Sequence, residues 1–231
     1  MAQYFISAED YALGDSFNET PFEATSASIS LSVVEDSGRK AFRIQTLGGL
    51  WDRNTLNLNH GLVLTGFCEV FAFQRSNADS DHHCMLFTEG VGGSSETGIS
   101  MNTFGRSDSY RLARFMPAFE SLGSASYTVT TPNNSLLRSN GSDDHKIFLW
   151  DEGGERPSTP SIDINDTVSY SGDNVTFLTG YPNGIAYVYA IGVGTDGDLA
   201  PTAPISVGPT TPTGLITTDI TANSFRAGWT P

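Results

Sequence analysis

An all-β fold, two antiparallel sheets packed face to face, is what this sequence predicts, and three observations carry the prediction. Apolar residues recur at every second position in one segment after another. Turn-forming residues punctuate the chain at intervals of about 8 to 15 residues, marking off about ten short strands. Composition leans the same way: 24 Gly, 11 Pro and only 16% charged residues favour strands and turns over helices. At 231 residues the chain can bury a sizeable core, and one β-domain of about 200 residues with a remnant fits the usual range.

Taken in order, Ala27 to Val34 (A-S-I-S-L-S-V-V) puts Ile29, Leu31 and Val33 on one face and Ser28, Ser30 and Ser32 on the other. That is the pattern of a half-buried antiparallel strand. Asp36-Ser37-Gly38 turns the chain, and Ala41 to Thr46 returns with Phe42 and Ile44 inward. Gly66 to Gln74 and His83 to Thr88 are dense in aromatic and β-branched residues, as the core strands of a sandwich are. Gly90 to Gly98 reads as a Gly/Ser loop and Ile99 to Phe104 as a further strand. Ser109 to Leu122 offers a helical face through Leu112, Phe115, Met116 and Phe119, but Pro117 interrupts it, so strand and then bend is expected. Tyr127 to Thr130 and Lys146 to Trp150 read as short strands, and the polar stretch Thr131 to Asp144 between them as surface loop.

Ile185 to Val193 reads as the last strand of this domain. Ile185, Tyr187, Tyr189, Ile191 and Val193 alternate with Ala186, Val188, Ala190 and Gly192, the pattern of a strand covered on both sides. Pro182-Asn183-Gly184 signals a tight turn, which predicts an antiparallel hairpin with Thr176 to Thr179. Residues 208–214 are a stiff Pro/Thr/Gly linker, and 215–231 resume strand-like alternation through Phe225, Ala227 and Trp229. The expected organisation is therefore a β-domain over 1–207, the linker, and a short third segment.

A net charge of −14 argues against nucleic acid, whose phosphates need clustered Lys and Arg. No run approaches the length of a membrane span and no signal peptide is visible, so synthesis in the cytoplasm without ordinary export is expected. Cys68 and Cys84 are read as buried free thiols, with a disulfide open if their strands are neighbours.

Several constellations are candidates for chemistry. Asp81-His82-His83-Cys84 carries zinc-type ligands, but adjacent strand residues point to opposite faces, so a core Cys84 with a surface His82 is the expectation. Asp163, Asp166 and Asp173, with Asn165 and Asn174, are oxygen ligands of the kind Ca2+ uses, yet their spacing follows no calcium-loop motif; turn capping is expected, and no cofactor. Asp151-Glu152-Gly153-Gly154-Glu155 reads as a turn, and neither a Gly-x-Ser-x-Gly elbow nor a phosphate loop is present. Sugars stack their C–H faces on aromatic rings and bond through directional hydroxyls. The stretches that offer both are Trp51-Asp52-Arg53-Asn54 and Tyr181-Pro182-Asn183, making Trp51, Asp52, Arg53, Tyr181 and Asn183 the glycan-binding candidates.

Residues 209–231, P-T-T-P-T-G-L-I-T-T-D-I-T-A-N-S-F-R-A-G-W-T-P, resemble the opening of a fibronectin type III domain through Leu215, Ser224 and Trp229. They cover about its first quarter. Residues 3–206 resemble a concanavalin A-like or laminin G-like jelly roll through Tyr11 to Phe17 (Y-A-L-G-D-S-F), the Lys146 to Trp150 strand with the polar loop after it, and a last strand ending in Gly-Thr-Asp-Gly. The combination is similar to bacteriophage tail-fibre, tail-tip and capsid decoration proteins. That resemblance implies a non-enzymatic structural protein of the virion, self-associated, bound to other virion proteins and to cell-surface polysaccharide. Jelly-roll glycoside hydrolases carry paired carboxylates as Glu-x-Asp-x-x-Glu on one strand, a motif missing here. A glycan-degrading enzyme of this fold and a secreted bacterial lectin are the alternatives.

Overall fold

The computed structural model describes residues 3–24, 28–47, 55–89, 97–116, 118–179, 184–204, 216–221 and 224–228. Its strands are β1 (Gln3–Ser7), β2 (Phe22–Ala24), β3 (Ile29–Asp36), β4 (Arg39–Thr46), β5 (Thr55–Leu58), β6 (Cys68–Ser76), β7 (Asp81–Glu89), β8 (Thr97–Phe104) and β9 (Ser109–Met116). They continue with β10 (Ala118–Ser126), β11 (Asn133–Ser139), β12 (Asp144–Asp151), β13 (Ile162–Asn165), β14 (Asn174–Thr179), β15 (Ile185–Gly194), β16 (Ile216–Thr221) and β17 (Ser224–Gly228).

These strands build the expected sandwich. The eight-stranded sheet runs β13-β12-β11-β6-β15-β4-β3, with β1 pairing on β15, and the seven-stranded sheet runs β10-β9-β8-β7-β14-β5-β2. β16 and β17 pair with each other. β15 is the hub: β6 takes one edge of it, while β4 and β1 share the other end to end, at Ile185 to Val188 and Ala190 to Gly194. Val70 and Ala72 of β6, Ile191 of β15 and Phe42 of β4 join Leu86 of β7, Met101 of β8 and Phe177 of β14 in one core between the sheets. Each large side chain buried there contributes about 1.5–3 kcal/mol of transfer free energy.

The expected strands at β3, β4, β6, β7, β8, β12 and β15 are present, and the Asp36–Arg39 turn uses the left-handed backbone at Ser37 (φ 55) and Gly38 (φ 80). Both thiols are free and buried, on strands of different sheets. Other readings are corrected. Residues 133–139 are not surface loop but β11, a central strand between β6 and β12. Its polar residues face inward and are satisfied there: Tyr110 Oη donates to Asn133 Oδ1 (2.5 Å), Gln74 Nε2 to Ser135 Oγ (2.9 Å) and Ser135 Oγ to the Ala72 carbonyl (3.0 Å). Residues 127–130 are not a strand.

Nor is there a β14–β15 hairpin. β14 pairs with β5 and β7 in one sheet and β15 with β1, β4 and β6 in the other, so the chain crosses the sandwich between Thr179 and Ile185. A turn signal marks a break between strands, but which sheet each strand joins is decided by its partners. Within β15 the alternation also slips. A bulge between Val188 and Ala190 lets Ala186 and Val188 face the core together with Ile191 and Val193.

The outer face of the eight-stranded sheet is covered in turn. Phe71, Leu136, Phe148, Trp150 and Ala200 form a second apolar cluster there. Arg156 bridges to the buried Glu69 carboxylate (2.9 and 2.5 Å), which also accepts from the Ala200 amide (2.9 Å). The 198–201 segment lies so close that a Cβ at Gly192 would meet the Pro201 carbonyl and one at Gly194 that of Asp198.

Candidate functional site

Leu56 and Leu58 of β5 face the core, so Asn57 between them faces outward, and register places Glu23 of β2 and Thr176 of β14 beside it. After β5 the chain folds back at His60 and Gly61, whose φ of 66° lies in the left-handed region that glycine tolerates. His60 is buried; its Nδ1 accepts from the Leu62 amide (3.1 Å) and its ring meets Tyr4 edge-on at 6.5 Å. Burial pulls its pKa below the ordinary value against a backbone hydrogen bond and the charge at Asp173, so the ring is neutral at pH 7. Asp173 accepts from the Leu64 amide (3.1 Å) and thereby holds the approach to β14 against the turn after β5.

Together these residues enclose an open pocket of about 350 Å³ lined by Glu23, Asn57, Asn59, His60, Asp173 and Asn174, with Leu58 and Leu62 as its apolar part. Its polar groups are only partly used. Asn57 Oδ1 accepts from Thr176 Oγ1 (2.9 Å) while its amide N–H groups bond to none of the described residues, and Asn174 Nδ2 donates to the Thr88 carbonyl (3.2 Å) while its oxygen bonds to none of them. The side chains of Glu23 and Asn59 make no hydrogen bond among the described residues. Chemically this is a set of spare donors and acceptors around a small apolar floor.

The sequence candidates Trp51, Asp52, Arg53, Tyr181 and Asn183 lie outside the described residues. The strand ends they adjoin are register partners, Thr55 of β5 opposite Leu178 of β14, on the same two strands that build the pocket. Sequence reasoning did not single out the pocket's own stretch, Asn57-Leu58-Asn59-His60-Gly61. Its signal is two amides flanking a core leucine just before a His-Gly turn.

The remaining constellations resolve into structure. His82 is not at the surface: it shares a face with Cys84 and is buried with its ring 6.4 Å from Phe177, because positions two apart on a strand face the same way. His83 takes the other face, where Asn102 Nδ2 donates to Nε2 (2.6 Å), Nδ1 meets Ser100 Oγ (3.0 Å) and Phe115 and Phe119 pack edge-on. Desolvation lowers both imidazoles to about 3 and raises the Cys84 thiol. Asp166 pairs with Arg114 (2.7 Å) and caps the Thr167 amide (2.7 Å), Asp163 lies near Lys146 (3.8 Å), and Asp173 stands apart in the pocket. Among the described residues no three His, Cys, Asp or Glu side chains are grouped to hold a metal ion. Residues 151–155 form the expected turn, with the Gly154 amide donating to the Asp151 carbonyl (3.1 Å).

A second, smaller pocket of about 200 Å³ lies by the eight-stranded sheet, lined by Ser7, Glu9, Arg39, Lys40, Phe73 and Tyr189. Arg39 sits over both rings, 5.2 Å from Phe73 and 5.4 Å from Tyr189, and pairs with Glu152. The Lys40 ammonium donates to the carbonyls of Glu9 (3.2 Å) and Tyr11 (2.5 Å). Nearby, Asp36 accepts from Arg75 Nε (2.8 Å), from Arg75 Nη2 and from the Tyr189 hydroxyl. Here the polar groups engage one another.

No protein-family model matches this chain, and no curated protein does. Solved structures do resemble it. The Ca2+- and Man2-bound exoplasmic/lumenal domain of VIP36 superposes with a TM-score of 0.52 at 9% identity, over 86% of this chain and 89% of that one. A protein of unknown function with a galectin-like fold from Bacillus subtilis gives 0.51 at 9% identity, over 80% and 98%. A carbohydrate esterase from the Shiga toxin-encoding bacteriophage phi24B gives 0.49 at 12% identity, over 83% and 95%. At such identities the likeness is one of fold: this chain is an all-β, two-sheet antiparallel sandwich of the galectin-like jelly-roll class.

Proposed function

We propose that this protein is a non-enzymatic carbohydrate-binding sandwich whose sugar site is the pocket between β2, β5 and β14. The observation that carries the reading is hydrogen-bonding capacity in the pocket that no described residue takes up. Asn57, Asn59 and Asn174 offer amide groups, and Glu23 and Asp173 carboxylate oxygens, around about 350 Å³ of open space. A sugar ring asks for that combination of directional donors and acceptors in a shallow cavity. The VIP36 neighbour of similar fold, with Man2 bound, is consistent with it.

The two carboxylates also raise the enzyme reading. Both Glu23 and Asp173 are exposed, without the apolar surroundings that keep a glycosidase's general acid protonated, so binding without cleavage is the reading preferred. The wider role, a structural and attachment protein of a bacteriophage virion working in several copies, rests on the sequence resemblance; linked copies would multiply a weak site into useful avidity.

Affinity electrophoresis in gels containing neutral polysaccharides tests the site. The protein is expected to be retarded by at least one of them, and Asn57→Ala to reduce that retardation at least about tenfold in apparent Kd. Unchanged retardation in Asn57→Ala, or release of reducing sugar by the wild type, would overturn the reading. Mass spectrometry of purified virions tests the wider role, which requires peptides of this chain to co-purify with capsid and tail proteins.

A further inference from the structure

The pocket's chemistry also selects among sugars. Resting on the sugar-site reading above, we infer that it accepts uncharged glycans and rejects acidic ones, with Glu23 and Asp173 as the specificity-determining residues. Among the described residues no Lys or Arg lines it. The one basic side chain among its described lining residues, His60, is buried, held in its neutral form, and uses Nδ1 to accept from the Leu62 amide. Among the described residues, a uronic or sialic acid carboxylate entering the pocket would meet two exposed carboxylates and no cation. It would also approach a molecule of net charge −14. Like charges brought within a few ångströms repel, and no guanidinium among the described residues lines the pocket to offset the loss of hydration. Uncharged hydroxyls carry no such penalty and bond to the same oxygens and amides.

The contrast with the eight-stranded sheet sharpens the point. The arginines that a bound carboxylate needs exist in this chain, but Arg39 and Arg75 lie by the other sheet, already paired with Glu152 and Asp36.

The test is a matched panel of a neutral polysaccharide, polygalacturonate and hyaluronate, measured on wild type, on Glu23→Gln/Asp173→Asn, and on Asn57→Ala as the control for the site itself. Wild type is expected to bind the neutral glycan about tenfold or more tighter than either acidic one. The double variant is expected to narrow that ratio, and so is about 1 M salt, where the screening length falls to about 3 Å. Acidic glycans bound by wild type as tightly as the neutral one, with both lost in Asn57→Ala, would overturn the charge selection while leaving the sugar site intact. Binding of nothing in the panel would overturn the sugar site and the selection with it. Circular dichroism of each variant separates a lost site from a lost fold.

Discussion

Two polar regions of this molecule look alike in composition and differ in what their groups have left to give. The pocket between β2, β5 and β14 leaves the Asn57 amide N–H groups, the Asn174 oxygen and the Glu23 and Asn59 side chains without hydrogen-bond partners among the described residues. Around β4, β6 and β15, Arg75, Asp36 and Tyr189 close a network, and Arg39 joins Glu152 while lying over two rings. The first has capacity for a ligand; the second spends its capacity on the fold. Hydrogen-bond accounting, rather than residue type, separates a binding site from a structural one.

The largest effect that would break this distinction is on the structural side. Asp36 is half-buried and accepts from Arg75, Tyr189 and Ser37, and the hydrogen bond from Arg75 is the chief reason its pKa falls below the carboxylate norm. Asp36→Ala takes from Arg75 its carboxylate, leaving it Asn77 Oδ1 and the Tyr187 ring, and should cost about 2–4 kcal/mol in urea unfolding with glycan binding unchanged. Asn57→Ala should do the reverse, costing less than about 1 kcal/mol. A similar stability loss in both variants would erase the contrast.

Next in size is an acid response set by β7. His82 and His83 titrate near 3 when folded against an ordinary 6.5, so below pH 6.5 the unfolded chain takes up two protons the folded one refuses. That contribution to stability is present above pH 6.5 and lost as pH falls toward 3. Asp81 works the other way: burial, outweighing Arg111 and Arg106, raises it from 3.8 to about 7, so between those values the folded state holds the extra proton. From pH 6.5 to about 4 these three groups together give one net proton, or about 1.4 kcal/mol lost per pH unit, to which His60 and His145, also lowered by burial, add in the same direction, and Asp81→Asn should steepen the slope by about another 1.4. Unfolding free energies across that range check both; a flat profile would contradict the burial of the two rings.

The smallest effect concerns the exposed pair. Arg39 and Glu152 keep 32% and 48% of their side-chain surface in water, so a double-mutant cycle should give a coupling of about 0.5 kcal/mol or less. A coupling several times larger would make that pair part of the structural network rather than its rim.

Much of the sandwich was legible in the sequence because alternation is local. In β3, Ile29, Leu31 and Val33 face the core and serines the outside, and the residues alone say so. β11 was illegible for the opposite reason: Asn133, Ser135 and Ser139 are core-facing and find partners in Tyr110, Gln74 and His145 that only tertiary structure supplies. The β14–β15 turn named a reversal without naming the sheet on its far side. The pocket was hidden because Glu23 and Asn57 are distant in the chain and meet only through the β2–β5 register.

β15 carries a consequence for the order of events in making the molecule. It pairs with β6 on one edge and with β4 and β1 on the other, so the eight-stranded sheet stays split until residues 185–194 arrive. A nascent chain shorter than that displays open edges on β4 and β6, which invite pairing with other chains. The sandwich therefore closes late, by contacts that span most of the sequence, and such closure is slow. A ribosome stalled before Ile185 should hold a sticky, half-built sheet, and release of the last strand should be the moment at which solubility is gained.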